Sequence, residues 1–174
     1  FENTNIALLQ QFIKQNSFKD GHIVIIDTPA GTSQRLWNLV AESYCVLIPT
    51  SLSNADLAPT ESFIKSMDKV KARYNQVYPH LVVCPNKIPF GQKDYSIMAK
   101  RLSNHDVVIG PAIRDLASVR HFYNGSYKMK DTENAGEDFG RFGDFVNKFV
   151  VKGELDKIYH NNKHDLNVVP FSKN

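Results

Sequence analysis

Apolar residues gather in four short runs, His22–Ile26, Tyr44–Ile48, Leu81–Cys84 and Val107–Ile109. Within each run they follow one another without alternation, the pattern of a strand buried on both faces. Between the runs the spacing changes to threes and fours. Ile6, Leu9, Phe12 and Ile13 share one face of a helix predicted over 6–18. Phe63, Ile64, Met67, Val70 and Tyr74 define a second helix, with Pro59 just ahead of its apolar face, where a first helical turn accepts proline. Tyr95, Met98, Ala99 and Leu102 mark a third. Phe139, Phe142, Phe145, Val146, Phe149 and Val150 mark a long C-terminal helix, which packing must hold because Gly140 and Gly143 weaken it intrinsically.

Strands alternating with helices predict right-handed βαβ crossovers, hence an α/β fold with a mainly parallel sheet and helices on both faces. From Lys152 the chain turns polar, which divides it into a core over 1–151 and a tail over 152–174. A length of 174 residues suits one domain with a real core. The 42% hydrophobic and 22% charged content excludes disordered and fibrous classes. No apolar run approaches the roughly 18 residues of a membrane span, so no membrane partner is expected. Residues 1–5 carry no basic n-region and no initiator Met, which favours a chain that starts inside a longer reading frame. Cys45 and Cys84 are the only cysteines, and both lie inside apolar runs. They read as small buried hydrophobes in a reducing, cytoplasmic setting.

In a parallel α/β sheet, ligands bind beyond the carboxyl ends of the strands. The first run ends in Asp27-Thr28-Pro29-Ala30-Gly31. An aspartate at a strand tip can hold a water of phosphate-bound Mg²⁺, and a following glycine lets backbone N–H groups approach a terminal phosphate. The same residues equally suit an ordinary turn in which Asp27 or Thr28 caps the next helix. The second run ends in Pro49-Thr50-Ser51, with hydroxyls but no charge. The third ends in Pro85-Asn86-Lys87-Ile88-Pro89, where Asn86 is either a loop residue or a partner for a purine edge. Pro89 stands where guanine-specific Asn-Lys-x-Asp segments carry their acid, so adenine fits better than guanine. The fourth runs into Gly110-Pro111, a turn able to lie flat against a base.

Taken in order, Ile-Ile-Asp-Thr-Pro-Ala-Gly, Leu-Ile-Pro-Thr, Val-Val-Cys-Pro-Asn-Lys and Val-Ile-Gly-Pro resemble the ParA/MinD family of P-loop ATPases over about Ile6–Val150. The resemblance implies a three-layer P-loop NTPase-like fold that binds ATP and Mg²⁺ and dimerises with ATP. It implies a partition role, with nonspecific DNA and a DNA-bound partner protein as further contacts. By the same match, Asp27 would hold the Mg²⁺ water shell, Thr28 and Gly31 would face the phosphates, and Asn86, Gly110 and Pro111 would flank adenine. Lys148 and Lys152 would belong to a basic DNA-binding strip, although a solvated helix face explains these lysines too. The net charge of only +3, from 21 basic and 18 acidic residues, leaves DNA binding to such a local strip.

The chain departs from the family in one respect. It contains no Gly-Lys-Ser or Gly-Lys-Thr, so the phosphate loop and the switch I aspartate are both missing. Supplying them would take at least one more βαβ unit of about 30 residues. As it stands, the sequence cannot hydrolyse ATP by the family mechanism. The alternatives are a non-catalytic interaction module on the same fold, or a related enzyme such as a dethiobiotin-synthetase-like ligase. His160 and His164 have the four-residue spacing of metal ligands, but Asn161 stands where a metalloprotease needs Glu, and a solvated helix end explains them.

Overall fold

The structure is a computed structural model that describes residues 6–17, 19, 21–28, 34–75, 77–92, 94–117, 134–156 and 167–168. The chain forms two units, Phe1–Ser43 and Tyr44–Asn174.

In the first unit, α1 spans Ile6–Ser17. Its end is satisfied locally: Asn16 Nδ2 donates to the Phe12 carbonyl at 2.7 Å, and the Ser17 hydroxyl donates to that of Ile13. Gly21 then takes a φ of 76°, a left-handed conformation that costs glycine little. Helix α2 spans Gln34–Ala41 and buries Leu39. The predicted helix over 6–18 is therefore present, but Phe12 of its apolar stripe is 56% exposed.

The first predicted strand is not a strand. Residues 22–28 form neither strand nor helix, and Ile23 and Ile25 are 58% and 89% exposed. An apolar run becomes a strand only when a neighbouring edge takes its backbone hydrogen bonds, because β propensity reflects the surface a residue packs on. Among the described residues no strand offers that edge to His22–Ile26.

In the second unit the remaining three runs form a parallel sheet. Strands β1 (Cys45–Thr50), β2 (His80–Pro85) and β3 (Val107–Ile109) lie in sequence order, and β3 is followed at the edge by the two-residue β4 (Asn167–Val168). The register sets Cys45 against His80 and Thr50 against Pro85, then Leu81 against Val107 and Val83 against Ile109. Part of the polar tail is thus docked, with Asn167 and Val168 paired to Val108 and Ile109. The fold is α/β with a small parallel sheet.

Helix α3 (Asn54–Tyr74) connects β1 to β2 and packs on β1 and on α4 (Ser96–Leu102). Contrary to the sequence expectation, Pro59 lies inside α3 rather than in its first turn. The overlooked signal was the cap: the Ser53 hydroxyl accepts the Asp56 N–H at 3.2 Å and starts the helix five residues before the proline. Proline removes the N–H that would bond the Ala55 carbonyl, but both residues are exposed, so water can replace that bond. The inner face of α3 buries Leu57, Ile64 and Met67 completely. Its polar flank is tied down by Arg101 to Glu61 at 2.7 Å, Lys71 to Asp106 at 3.1 Å and His105 to Asp68 at 2.8 Å. Hydrogen bonds from Arg101 and then Lys65 pull the Glu61 carboxyl down to about 2.

The C-terminal helix also differs in detail. Helix α5 (Asn134–Phe145) gives way to a π-helical segment, Val146–Val151, in which the Lys152 N–H reaches back to the Asn147 carbonyl at 3.0 Å. The wider turn keeps Phe145, Val146, Phe149 and Val150 together against Val82, Cys84 and Val108. Cys45 and Cys84 are free thiols, and burial pushes both up to about 12, so they behave as hydrophobes, as expected.

Gly140 and Gly143 lie on the exposed side of α5, where an added Cβ would meet nothing within 4 Å. Replacing either by alanine should therefore stabilise the protein by about 0.5–1 kcal/mol through helix propensity alone. Urea unfolding of Gly140→Ala and Gly143→Ala measures this, and a loss of stability would mean that the flexible backbone is required there.

Candidate functional site

The parallel register brings three strand ends together. At the carboxyl end of β1, the Thr50 carbonyl accepts the Asn86 N–H at 2.7 Å, while the buried Thr50 hydroxyl meets that of Thr60 at 3.0 Å. Beyond β2, the chain from Asn86 to Ile88 continues alongside the segment that follows β3. The Gly110 N–H donates to Val83 at 2.8 Å, the Ile113 N–H to Pro85 at 2.8 Å, and the Ile88 N–H to Ile113 at 3.2 Å. Asn86, Gly110 and Pro111 therefore stand at the ends of adjacent strands.

Asn86 is half-buried, and its Oδ1 accepts the Lys87 N–H at 2.8 Å. That bond fixes the carboxamide while leaving its N–H₂ and a second oxygen lone pair for a ligand. It also accompanies a left-handed backbone at Lys87, φ 53°. Gly110 is buried, and a Cβ there would lie 3.4 Å from Val82 Cγ1 and 3.6 Å from Phe145 Cε1. These are ordinary van der Waals distances, so a Cβ would fit beside Phe145 without displacing it. Beside this end, Ser51 and Ser53 hydrogen-bond around Asp56 at the start of α3. Those bonds, Ser51 first, hold the Asp56 carboxyl below its usual range, with a smaller contribution from Lys87.

Other predicted site residues belong elsewhere. Asp27 and Thr28 are exposed in the first unit, at the end of the segment that forms no strand. Gly31, His160 and His164 lie outside the described residues. Lys148 and Lys152 are both exposed, with the Lys148 ammonium 5.0 Å from the Phe149 ring centroid. No group of three or more His, Cys, Asp or Glu side chains suited to a metal converges among the described residues. A Mg²⁺ ion prefers six oxygen ligands, so Asp27 would need phosphate oxygens and waters to complete the set.

Two polar clusters escaped the sequence reading. The first supports the loop after β3. Arg114 Nε contacts both oxygens of Asp138, at 2.8 and 3.2 Å, and Arg114 Nη2 donates to Asp138 Oδ1 and to the Asn134 carbonyl, each at 2.9 Å. The Arg114 backbone N–H donates to the same carboxylate at 3.0 Å, and Arg141 joins from the next turn of α5. Burial opposes charge on Asp138, but the hydrogen bonds from Arg114 and Arg141 outweigh it and hold the carboxyl below its usual value. The second cluster lies at the opposite end of the sheet. Asp156 receives His80 Nε2 at 2.8 Å, the Tyr78 hydroxyl at 3.2 Å and the Tyr44 hydroxyl at 3.5 Å. Burial lowers the His80 pKa more than Asp156 raises it, favouring the neutral ring. Arg114 and Asp138 are 24 residues apart, and His80 and Asp156 are 76 apart, so no local spacing announces either cluster.

No protein-family model matches the chain, and no curated protein matches it in sequence. The candidate site therefore rests on its own geometry.

Asp138→Asn leaves Arg114 and Arg141 without their charge partner. It should cost about 3 kcal/mol, the lower end for breaking a buried pair, because both arginines keep some contact with water. Asp138 titrates below an unfolded aspartate, so its charge stabilises the fold above pH of about 4 and stops doing so as pH falls through its folded value. Urea unfolding between pH 5 and 2 should accordingly show a steeper loss of stability in the wild type than in Asp138→Asn. Equal slopes would contradict this assignment.

Proposed function

We propose that the chain is the adenine-binding portion of a ParA/MinD-type ATPase, with a three-layer P-loop NTPase-like arrangement around its parallel sheet. The observation that carries this reading is the meeting of Asn86 with Gly110 and Pro111 at the carboxyl ends of β2 and β3. That is where open α/β sheets receive ligands, and a fixed carboxamide beside the Gly110-Pro111 segment suits a purine. The layer arrangement draws support from β2, which is buried throughout: Val82 and Cys84 pack toward Phe145, and Leu81 and Val83 are buried as well.

In this reading Asp27 holds a water of Mg²⁺, while Thr28 and Gly31 face the triphosphate. ATP then stabilises a homodimer that meets nonspecific DNA through Lys148 and Lys152 and a DNA-bound partner of the partition type. Nothing in the chain supplies the lysine that neutralises the β- and γ-phosphates. The chain by itself would thus bind nucleotide weakly, mainly through the base. A second reading follows from that same absence: a non-catalytic interaction module that keeps the scaffold without the phosphate chemistry. A dethiobiotin-synthetase-like ligase would also use such a sheet, but no observation favours it. Among the described residues no helix is long and apolar enough to cross a membrane.

Titrating the purified chain with ATP and GTP by calorimetry and ligand-observed NMR tests the proposal. Expected are weak ATP binding, weaker GTP binding, and at least a tenfold loss of ATP affinity in Asn86→Ala. Equal affinity for both nucleotides, or an unchanged Asn86→Ala, would sink the adenine site. Absence of binding at millimolar ATP would favour the interaction module.

A further inference from the structure

At the amino end of the sheet, away from Asn86, titratable groups from four parts of the second unit converge on one buried imidazole. His80 opens β2 and is wholly out of water. Its Nε2 lies 2.8 Å from Asp156 Oδ1, on the segment that follows the π-helical turn. The rings of Tyr44, just before β1, and Tyr78, just before β2, stand edge-on to it at 5.2 and 4.9 Å. Both tyrosine hydroxyls also donate to Asp156, at 3.5 and 3.2 Å. Lys71 of α3 and Asp106 before β3 act on His80 with opposite signs and pair with each other at 3.1 Å, so their effects largely cancel.

Asp156 belongs to a short stretch with few anchors. Over 152–156 only Leu155 is buried, and Gly153, at φ 69°, joins the stretch to the π-helical segment in a conformation that glycine adopts freely. We propose that the His80–Asp156 contact is a pH-operated latch: neutral His80 holds Leu155 and Asp156 on the amino end of the sheet, and its protonation releases them. An imidazolium in the closed position would be sealed from water. The Asp156 carboxylate would attract it, but that side chain is 36% exposed and shared among three donors, so burial outweighs the attraction. Once released, His80 is hydrated and takes a proton more readily. The closed form is therefore fully favoured above pH of about 6.5 and loses stability as pH falls from there toward the lower value of the buried ring.

The experiment follows the full chain from pH 7.5 to 5, with histidine NMR for His80 and amide hydrogen exchange for residues 153–156, corrected for the intrinsic pH dependence of exchange. Expected are a His80 midpoint below about 6.5 and a loss of protection over 153–156 of about threefold or more, while Val82 in β2 keeps its protection. His80→Gln keeps an N–H donor for Asp156 but does not titrate, so its protection should not change with pH. Protection over 153–156 that stays constant while His80 titrates overturns the proposal. So does a midpoint at or above 6.5, an equal loss at Val82, which would be global unfolding, or a His80→Gln chain that responds to pH as the wild type does. Should His80→Gln fail to fold, the wild-type measurements decide the matter alone.

Discussion

The second unit depends on a single requirement, that β2 be buried on both faces and hydrogen-bonded along both edges. Every residue from His80 to Pro85 is out of water, so every N–H and C=O in that stretch needs a partner within the protein. The partners are β1 on one side and β3 on the other, in a register that also joins Ile88 to Arg114 beyond the strands. Shifting β2 by one residue against its neighbours would turn Val82 and Cys84 away from Phe145 and Leu155. The register is fixed for this reason, and with it the positions of Asn86 and Gly110.

The two ends of the sheet carry different kinds of chemistry as a consequence. At the carboxyl end, the loops after β2 and β3 run side by side and are secured from below by Asp138, which accepts from both the side chain and the backbone of Arg114. Support from a buried, paired carboxylate holds this loop in one conformation, because leaving Asp138 unpaired in a dry place would be costly. At the amino end, Asp156 draws in His80, Tyr78 and Tyr44, whose rings lie 4.9 to 5.4 Å apart. That cluster ties the segment following the π-helical turn to the start of β1 and β2. Both clusters use one carboxylate to gather several donors, and for the buried Asp138 those donors let a charge remain in a poorly hydrated place.

Much of this was legible in the chain. Continuous apolar runs marked β1, β2 and β3 to within two residues, and the stripes at Ile64 and Met67, and at Met98 and Leu102, fell on fully buried helix faces. Asn86 and Gly110 could be named because they follow runs long enough to be recognised as strands. Two misreadings have the same root. Pro59 suggested a helix start, whereas the Ser53–Asp56 cap set that start earlier and the exposed Ala55 carbonyl tolerated the proline. The run at His22–Ile26 has a strand's composition without a strand's neighbour.

The sequence by itself determined local matters: which segments are apolar enough to be buried, which period they follow, and which turn residues end them. Those depend on neighbours a few positions apart, and a linear pattern records them fully. Tertiary structure alone decided whether an apolar run found an edge to pair with, as Leu81–Cys84 did and His22–Ile26 did not. It alone assembled Arg114 with Asp138 and His80 with Asp156, and only it made Gly110 a packing partner of Phe145. The physical reason is common to all three. Hydrogen bonds and close contacts between residues far apart in the chain depend on the register of strands, and register is a property of the folded sheet rather than of any one segment.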